Sequence, residues 1–188
     1  MISAASSALE RANDSELAVR ASEDIEAFGE LYQRYLCPIY RWVRAQVPSD
    51  AVAEDLTAQV FFRALSSAAT FKGDSPYQTW IYTIARNVVS TYRTRGPRTT
   101  GDMTIPETED PAPGPAARLV IEEEREAVRS MVTELPPAQR EVVTLRYLRE
   151  LSIREVAEIT GKTAGAVRIL LHRGRMSLKH ALEERGVR

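Results

Sequence analysis

The 188-residue chain has room for one ordinary domain or two small ones, and 44% hydrophobic with 27% charged residues fits a globular protein, not a disordered one. No apolar run reaches the ~18 residues that cross a bilayer, and the start, MISAASSALERAND, lacks the basic n-region and apolar core of a secretory signal. A single cysteine, Cys37, and two histidines, His172 and His180, exclude an internal disulfide and leave little from which to build a metal or catalytic centre. The net charge of −1 hides a segregation: residues 86–100 hold four arginines and no acid, 101–126 hold two against eight acids, and 136–188 hold eleven basic residues against six acids. Two basic zones around an acidic spacer fit two contacts with a polyanion and a segment that avoids it. A cytoplasmic protein with no metal, no cofactor and no membrane insertion is expected.

Residues 1–22 are Ala/Ser-rich and read as a flexible N-terminal extension. The first folded block is placed at 23–96 and reads as three helices. Ile25, Phe28, Tyr32, Tyr35, Ile39 and Val43 recur every three or four residues, the stripe of an amphipathic helix. Pro38 falls inside it and predicts a kink or break. A second stripe runs through Val52, Leu56, Val60 and Leu65, with Asp50, Glu54, Asp55, Gln59 and Arg63 facing out. Ser75-Pro76-Tyr77-Gln78 opens a third helix, its apolar face Tyr77, Ile81, Ile84, Val88 and Tyr92.

Residues 97–117 are rich in Pro, Gly and acids without apolar periodicity, which predicts an extended linker. The second block, 118–188, again reads as helical. A helix around 118–133 is broken at Leu135-Pro136-Pro137 and followed by one carrying Val142, Val143, Leu145 and Leu148. Ser152-Ile153-Arg154-Glu155 is a capping box that opens a short helix ending at Thr160-Gly161. After Lys162 and the cap Thr163, a longer helix buries Val167, Leu170, Leu171, Gly174, Leu178 and Leu182. Helix, glycine turn and longer helix make a helix-turn-helix pattern.

Away from the leucine stripe, Arg168, His172, Arg175 and Lys179 line one face of that last helix, a shape and charge suited to the DNA major groove. Ala164 and Gly165 let its N-terminus approach DNA closely, and Arg154 and Lys162 flank the turn within reach of phosphates. In the first block, Thr79, Thr83, Arg86, Ser90 and Arg93, with Asn87 beside them, suit a single strand. Trp80 is assigned to the core; Phe71 and Tyr77 fit either the core or base stacking. The adjacent Phe61 and Phe62 cannot both enter one small core, so one of them is available to a protein partner. Cys37 beside Pro38 reads as core. Enzymatic constellations are missing: there is no Walker-type phosphate loop, no G-x-G-x-x-G after a strand, and no H-E-x-x-H. Glu122-Glu123-Glu124 reads as a solvated run.

Residues 25–95 and 134–182 together resemble regions two and four of bacterial RNA polymerase sigma factors of the compact extracytoplasmic-function (ECF) type. The resemblance rests on A-E-D-L-T-A-Q-V-F-F-R-A-L at 53–65 and F-K-G-D-S-P-Y-Q-T-W-I-Y-T-I-A-R-N at 71–87. In the second block it rests on L-P-P-A-Q-R-E-V-V-T-L-R-Y-L at 135–148, L-S-I-R-E-V-A-E-I-T-G at 151–161 and T-A-G-A-V-R-I-L-L-H-R-G-R at 163–175. It covers about two thirds of the chain, and the order and spacing of these motifs carry its specificity.

The resemblance implies an all-α fold of two small helical domains joined by a flexible acidic, proline-rich linker, with no catalytic activity of its own. It implies core RNA polymerase as partner, through the clamp helices of the largest subunit and the flap of the second. Docking would use Asp55, Leu56, Gln59, Phe61 and Phe62. Phe71, Lys72, Tyr77, Arg86, Asn87, Ser90 and Arg93 would capture the unpaired strand of the promoter −10 element. Ala164, Gly165, Arg168 and Ile169 would read the −35 element as duplex, with Arg154, Lys162, Thr163, His172, Arg173 and Lys179 around them. The linker would pass near the RNA exit path. Ile169 departs from the small polar residue of many relatives and favours a thymine methyl. The chain stops six residues past Leu182, so regulation is expected from a separate anti-sigma protein or from expression level, not from an appended domain. The competing reading is a stand-alone helix-turn-helix repressor or activator, which would dimerise on palindromic operators without polymerase; the long linker would couple its two parts poorly.

Overall fold

The computed structural model describes Leu9, residues 11–95 and residues 128–185. The expected linker 97–117, and the start of the second block at 118–127, lie outside the described residues. The chain forms two compact units, one mainly from its N-terminal part and one mainly from its C-terminal part. Every regular element among the described residues is helical.

The first unit contains α1 (Asp14–Arg20), α2 (Ile25–Arg44), α3 (Asp50–Ser66), a single 3₁₀ turn (Ala68–Thr70) and α4 (Tyr77–Arg95). The helix α1 corrects the expectation that residues up to 22 form only a loose extension. Asn13 and Glu16 make a reciprocal capping box, the Glu16 amide donating to Asn13 Oδ1 at 2.9 Å and the Asn13 amide to Glu16 Oε2 at 3.2 Å. Leu17 and Ala18 are then buried against the bundle. The apolar pair makes the segment part of the domain, despite its Ala/Ser-rich surroundings.

The helix α2 is capped by Asp24, whose carboxylate accepts from the amides of Glu26 and Ala27. It runs unbroken through Pro38, against the expected break. Pro38 removes one backbone donor, a cost of about 3 kcal/mol. Leu31 and Tyr35 before it and Ile39, Trp42 and Val43 after it are all buried on one face. Each contributes roughly 1.5–3 kcal/mol, so burial of both halves outweighs the lost bond. Ile25, the first residue of the predicted stripe, lies outside the core and is exposed.

Ser49 caps α3 through the Val52 amide. Its buried face is Ala53, Leu56, Thr57, Val60, Phe61 and Ala64. Leu65, expected inside, is instead exposed, while the small alanines at 53 and 64 are fully buried. The helix α4 begins at Tyr77, with the Trp80 amide donating to the Pro76 carbonyl at 3.2 Å. It buries Tyr77, Thr79, Ile81, Tyr82, Ala85, Val88 and Val89, and its Tyr82 ring meets Trp42 edge-on at 5.9 Å.

The second unit contains a helical stretch α5 (128–134), α6 (Pro137–Val143), a wide π-type turn (Thr144–Leu148), α7 (Ile153–Thr160) and α8 (Ala164–Glu184). Met131, Leu135, Val142, Val143, Leu145, Leu151, Val156, Val167 and Leu171 are buried. Gly174 lets α8 press on α6: a Cβ there would sit 2.7 Å from Val143 Cγ2 and 3.6 Å from Gln139 Cβ.

Candidate nucleic-acid interface

The helix-turn-helix of the second unit is set by its caps. The Ser152 amide donates to Glu155 Oε2 at 2.8 Å and the Glu155 amide to Ser152 Oγ at 3.2 Å, closing the predicted capping box. At the far end Gly161 takes φ +64°, the left-handed conformation that side chains resist. The Lys162 amide reaches back to the Ala157 carbonyl at 3.0 Å. Thr163 Oγ1 then accepts from the Ala166 amide at 3.1 Å and starts α8. Local hydrogen bonds thus define the ends of the two helices at either side of a short turn.

With Val167, Leu171 and Gly174 turned inward, α8 presents Gly165, Arg168, Ile169, His172, Arg173, Arg175 and Lys179 to solvent. Arg154 is exposed on α7; Lys162 and Ala164 are half-buried, and the exposed Thr163 spends its oxygen on the cap. Lys179 lies 3.7 Å from Glu183, an exposed pair of little strength. Arg168, His172, Arg175 and Lys179 therefore follow one another along one exposed, basic face of α8. Met176, 54% exposed and two helical turns from Ile169 at 55%, belongs to the same face and was not singled out by sequence reasoning.

In the first unit the predicted strand-binding residues divide. Lys72 and Asn87 are exposed, and Arg86 and Ser90 half-buried; Arg86 Nη1 donates to Asn87 Oδ1 at 3.4 Å. Arg93 is tied elsewhere: its Nη2 donates to Gln46 Oε1 at 2.8 Å and the Gln46 carbonyl at 3.3 Å, anchoring α4 to the end of α2. Phe71 and Tyr77 are buried, which corrects their reading as base-stacking platforms. Phe71 meets Tyr77 edge-on at 5.8 Å and Trp80 at 5.6 Å, and Tyr77 meets Tyr35 at 5.1 Å, so their faces are already spent on one another. Burial pushes the Tyr77 phenol well above its ordinary value, and its hydroxyl has no hydrogen-bond partner among the described residues. Trp80, assigned to the core, is only half-buried. Thr79, read as part of the polar face, is buried as well.

The residues predicted to dock a partner divide in the same way. Asp55, Gln59 and Phe62 follow at helical spacing on the outer side of α3, with Gln59 Nε2 donating to Asp55 Oδ2 at 2.9 Å. Phe62 is 72% exposed and Leu65 42%. Leu56 and Phe61 are corrected to core residues, and the Phe61 ring packs edge-on against Tyr32 at 4.7 Å. Leu65 belongs to this surface and escaped the sequence reading because it was counted into the buried stripe.

Among the described residues no helix is long and apolar enough to cross a membrane. A helical bundle with a hydroxyl- and arginine-bearing helix, joined in one chain to a helix-turn-helix unit, defines a two-part DNA-binding protein. The sigma-70 region 2 family matches residues 31–99, and the sigma-70 region 4 family matches residues 125–178. The chain is 35% identical over 175 residues to the ECF RNA polymerase sigma factor BldN of Streptomyces coelicolor, covering 90% of this chain and 66% of that protein. It is 31% identical over 170 residues to the ECF RNA polymerase sigma-E factor of Escherichia coli, covering 85% and 88% of the two chains. Its fold is similar to that of CnrH, solved in complex with the cytosolic domain of CnrY (TM-score 0.68, 25% identity, 91% of this chain and 97% of that one). A second likeness in fold is to the sigma factor RpoE of Bartonella quintana, solved with the anti-sigma factor NepR (TM-score 0.64, 20% identity, 83% and 96% of the two chains). The chain belongs to the ECF sigma factors of the sigma-70 family, whose members are transcription-initiation factors.

Proposed function

We propose that the chain binds core RNA polymerase and directs it to promoters, its region 2 (residues 23–96) engaging the −10 element as single strand and its region 4 (118–188) reading the −35 element as duplex, with 97–117 as the linker. The observation that carries this reading is the presence, in order in one chain, of both sigma-70 regions. The polymerase performs the chemistry, and this chain supplies binding, in the cytoplasm where promoters are. Asp55, Gln59 and Phe62, with Leu65, dock on the clamp helices. Lys72, Arg86, Asn87 and Ser90 hold the unpaired strand; extruding a base costs a few kcal/mol, which hydrogen bonds and stacking must offset. In region 4, Arg168 and Ile169 meet base edges near the N-terminal end of α8, while Arg154, Lys162, Arg173 and Lys179 take phosphates.

An anti-sigma protein is the proposed regulator, by analogy with RpoE, which was solved bound to one. The repressor reading is not favoured, because it leaves region 2 without a role. Run-off transcription on fragmented genomic DNA, with core polymerase and the purified chain, tests the proposal. Discrete transcripts that require the chain support it. Failure to bind core polymerase, together with palindrome binding by a dimer, refutes it.

A further inference from the structure

We propose that α1 and the segment before it set the geometry of the loop between Phe71 and Tyr77, so that this N-terminal piece is a positioning element for promoter opening. The proposal rests on reading that loop as part of the strand-contacting surface. Only the middle of the loop, Lys72 to Asp74, and Pro76 are exposed; Phe71 and Tyr77 at its two ends are buried. The aromatic ends are therefore anchors, and whatever fixes them fixes the loop.

What fixes them runs back to the N-terminal segment. Tyr77 packs edge-on against Tyr35 of α2 at 5.1 Å, and the Tyr35 hydroxyl donates to Asp14 Oδ2 at 2.5 Å. The other Asp14 oxygen accepts from Arg34 Nη1 at 2.8 Å. Arg34 also donates to the carbonyls of Ala12 at 2.8 Å and Leu9 at 3.1 Å, while its Nε is held by Glu30 at 2.8 Å. Ala18 and the following Ala21 line the same small apolar gap as Phe28, Leu31, Phe71, Tyr77 and Trp80. One side of α1 thus closes over the aromatic cluster, and its first residue pins the tyrosine that braces Tyr77. Among the described residues, Lys72, Gly73 and Asp74 in the loop make no comparable tie, and Gly73 sits at φ +77°, so the middle of the loop offers little stiffness of its own.

Two variants test this in holoenzyme assembled on core polymerase. Asp14→Ala removes both the phenol's acceptor and the ion pair; Tyr35→Phe removes only the hydroxyl and keeps the ring against Tyr77. A fluorescent base analogue in the −10 non-template strand reports opening, and titration against core polymerase reports docking. The expected result is opening slowed about tenfold by Asp14→Ala and less by Tyr35→Phe, on the scale of a lost charged and a lost neutral hydrogen bond, with polymerase affinity unchanged for Tyr35→Phe. Opening unchanged in Tyr35→Phe, whether or not Asp14→Ala folds, overturns the proposal. So does a parallel loss of docking and opening in Tyr35→Phe, which would make α1 a plain stabiliser of the domain. A native chain that binds polymerase but opens no promoter would instead refute the underlying reading of the loop.

Discussion

Adjacent phenylalanines on α3 give a sharp separation of folding from docking. Phe61 is 5% exposed and Phe62 72%, one residue and about 100° of helix apart. Truncating Phe61 to alanine removes a core ring and its edge-on contact with Tyr32 at 4.7 Å, a loss of about 3–5 kcal/mol. That is a large part of the stability of a small domain, and the first unit should be largely unfolded or melt far earlier. Phe62→Ser touches no core residue and should change stability by no more than about 0.5 kcal/mol. Its cost falls on binding: an exposed phenylalanine that becomes buried at an interface contributes roughly 1.5–3 kcal/mol, so affinity for core polymerase should drop about tenfold to a hundredfold. Circular dichroism melting and fluorescence titration of core polymerase measure the two quantities on the same samples. Unchanged polymerase affinity in Phe62→Ser refutes the docking face, and a native melting curve for Phe61→Ala refutes the assignment of that ring to the core.

The same glycine-to-alanine change should act in opposite directions at two sites. Gly174→Ala forces a methyl to 2.7 Å from Val143 Cγ2 and should destabilise the second unit by about 1–3 kcal/mol, whereas a methyl on Gly29 within α2 would meet nothing within 4 Å, so Gly29→Ala should stabilise by about 0.5–1 kcal/mol; thermal unfolding of the full chain checks both, and matching signs would refute the packing argument. Arg168→Ala should relax discrimination at one −35 base pair by roughly 1–3 kcal/mol, while Lys179→Ala should weaken all promoters alike and flatten the salt dependence; run-off transcription across single-base promoter variants separates the two patterns, and a uniform loss with Arg168→Ala would make it a phosphate contact. The Arg20 guanidinium, followed by the Ala27 amide, holds the Asp24 carboxyl below the ordinary aspartate range. Its contribution to capping α2 is thus complete above the ordinary aspartate value and is lost as pH falls through the lower, folded-state value. A carboxyl-carbon NMR titration should place its midpoint below that of a free aspartate, moving back up in high salt; a midpoint at or above the ordinary value refutes the cap.

Local chemistry explains which parts of this arrangement were legible in the sequence. A capping box needs only four residues, so Ser152 with Glu155 marked the start of α7, and Gly161 and Thr163 marked the turn and the start of α8, without any knowledge of the tertiary fold. The cationic face of α8 was equally legible, since helical spacing alone separates Arg168, His172 and Lys179 from Val167 and Leu171. The same logic was available for α1, because Asn13 and Glu16 have the spacing of a capping box, but the Ala/Ser-rich composition around them masked it.

Other features depend on what lies across the bundle, and periodicity carries no information about that. A stripe drawn through large residues put Leu65 inside and treated alanines as neutral, yet Ala53 and Ala64 are buried in the core and Leu65 is exposed. Whether Tyr77 is a platform or an anchor depends on Tyr35, whose ring it meets, and Tyr35 is held by Asp14, 21 residues earlier in the chain. An aromatic residue beside a polar loop has the same local signature in both roles. Ala18 and Ala21 line the gap beside Phe71 and Tyr77, so the burial of these rings draws on the segment whose composition looked least structured.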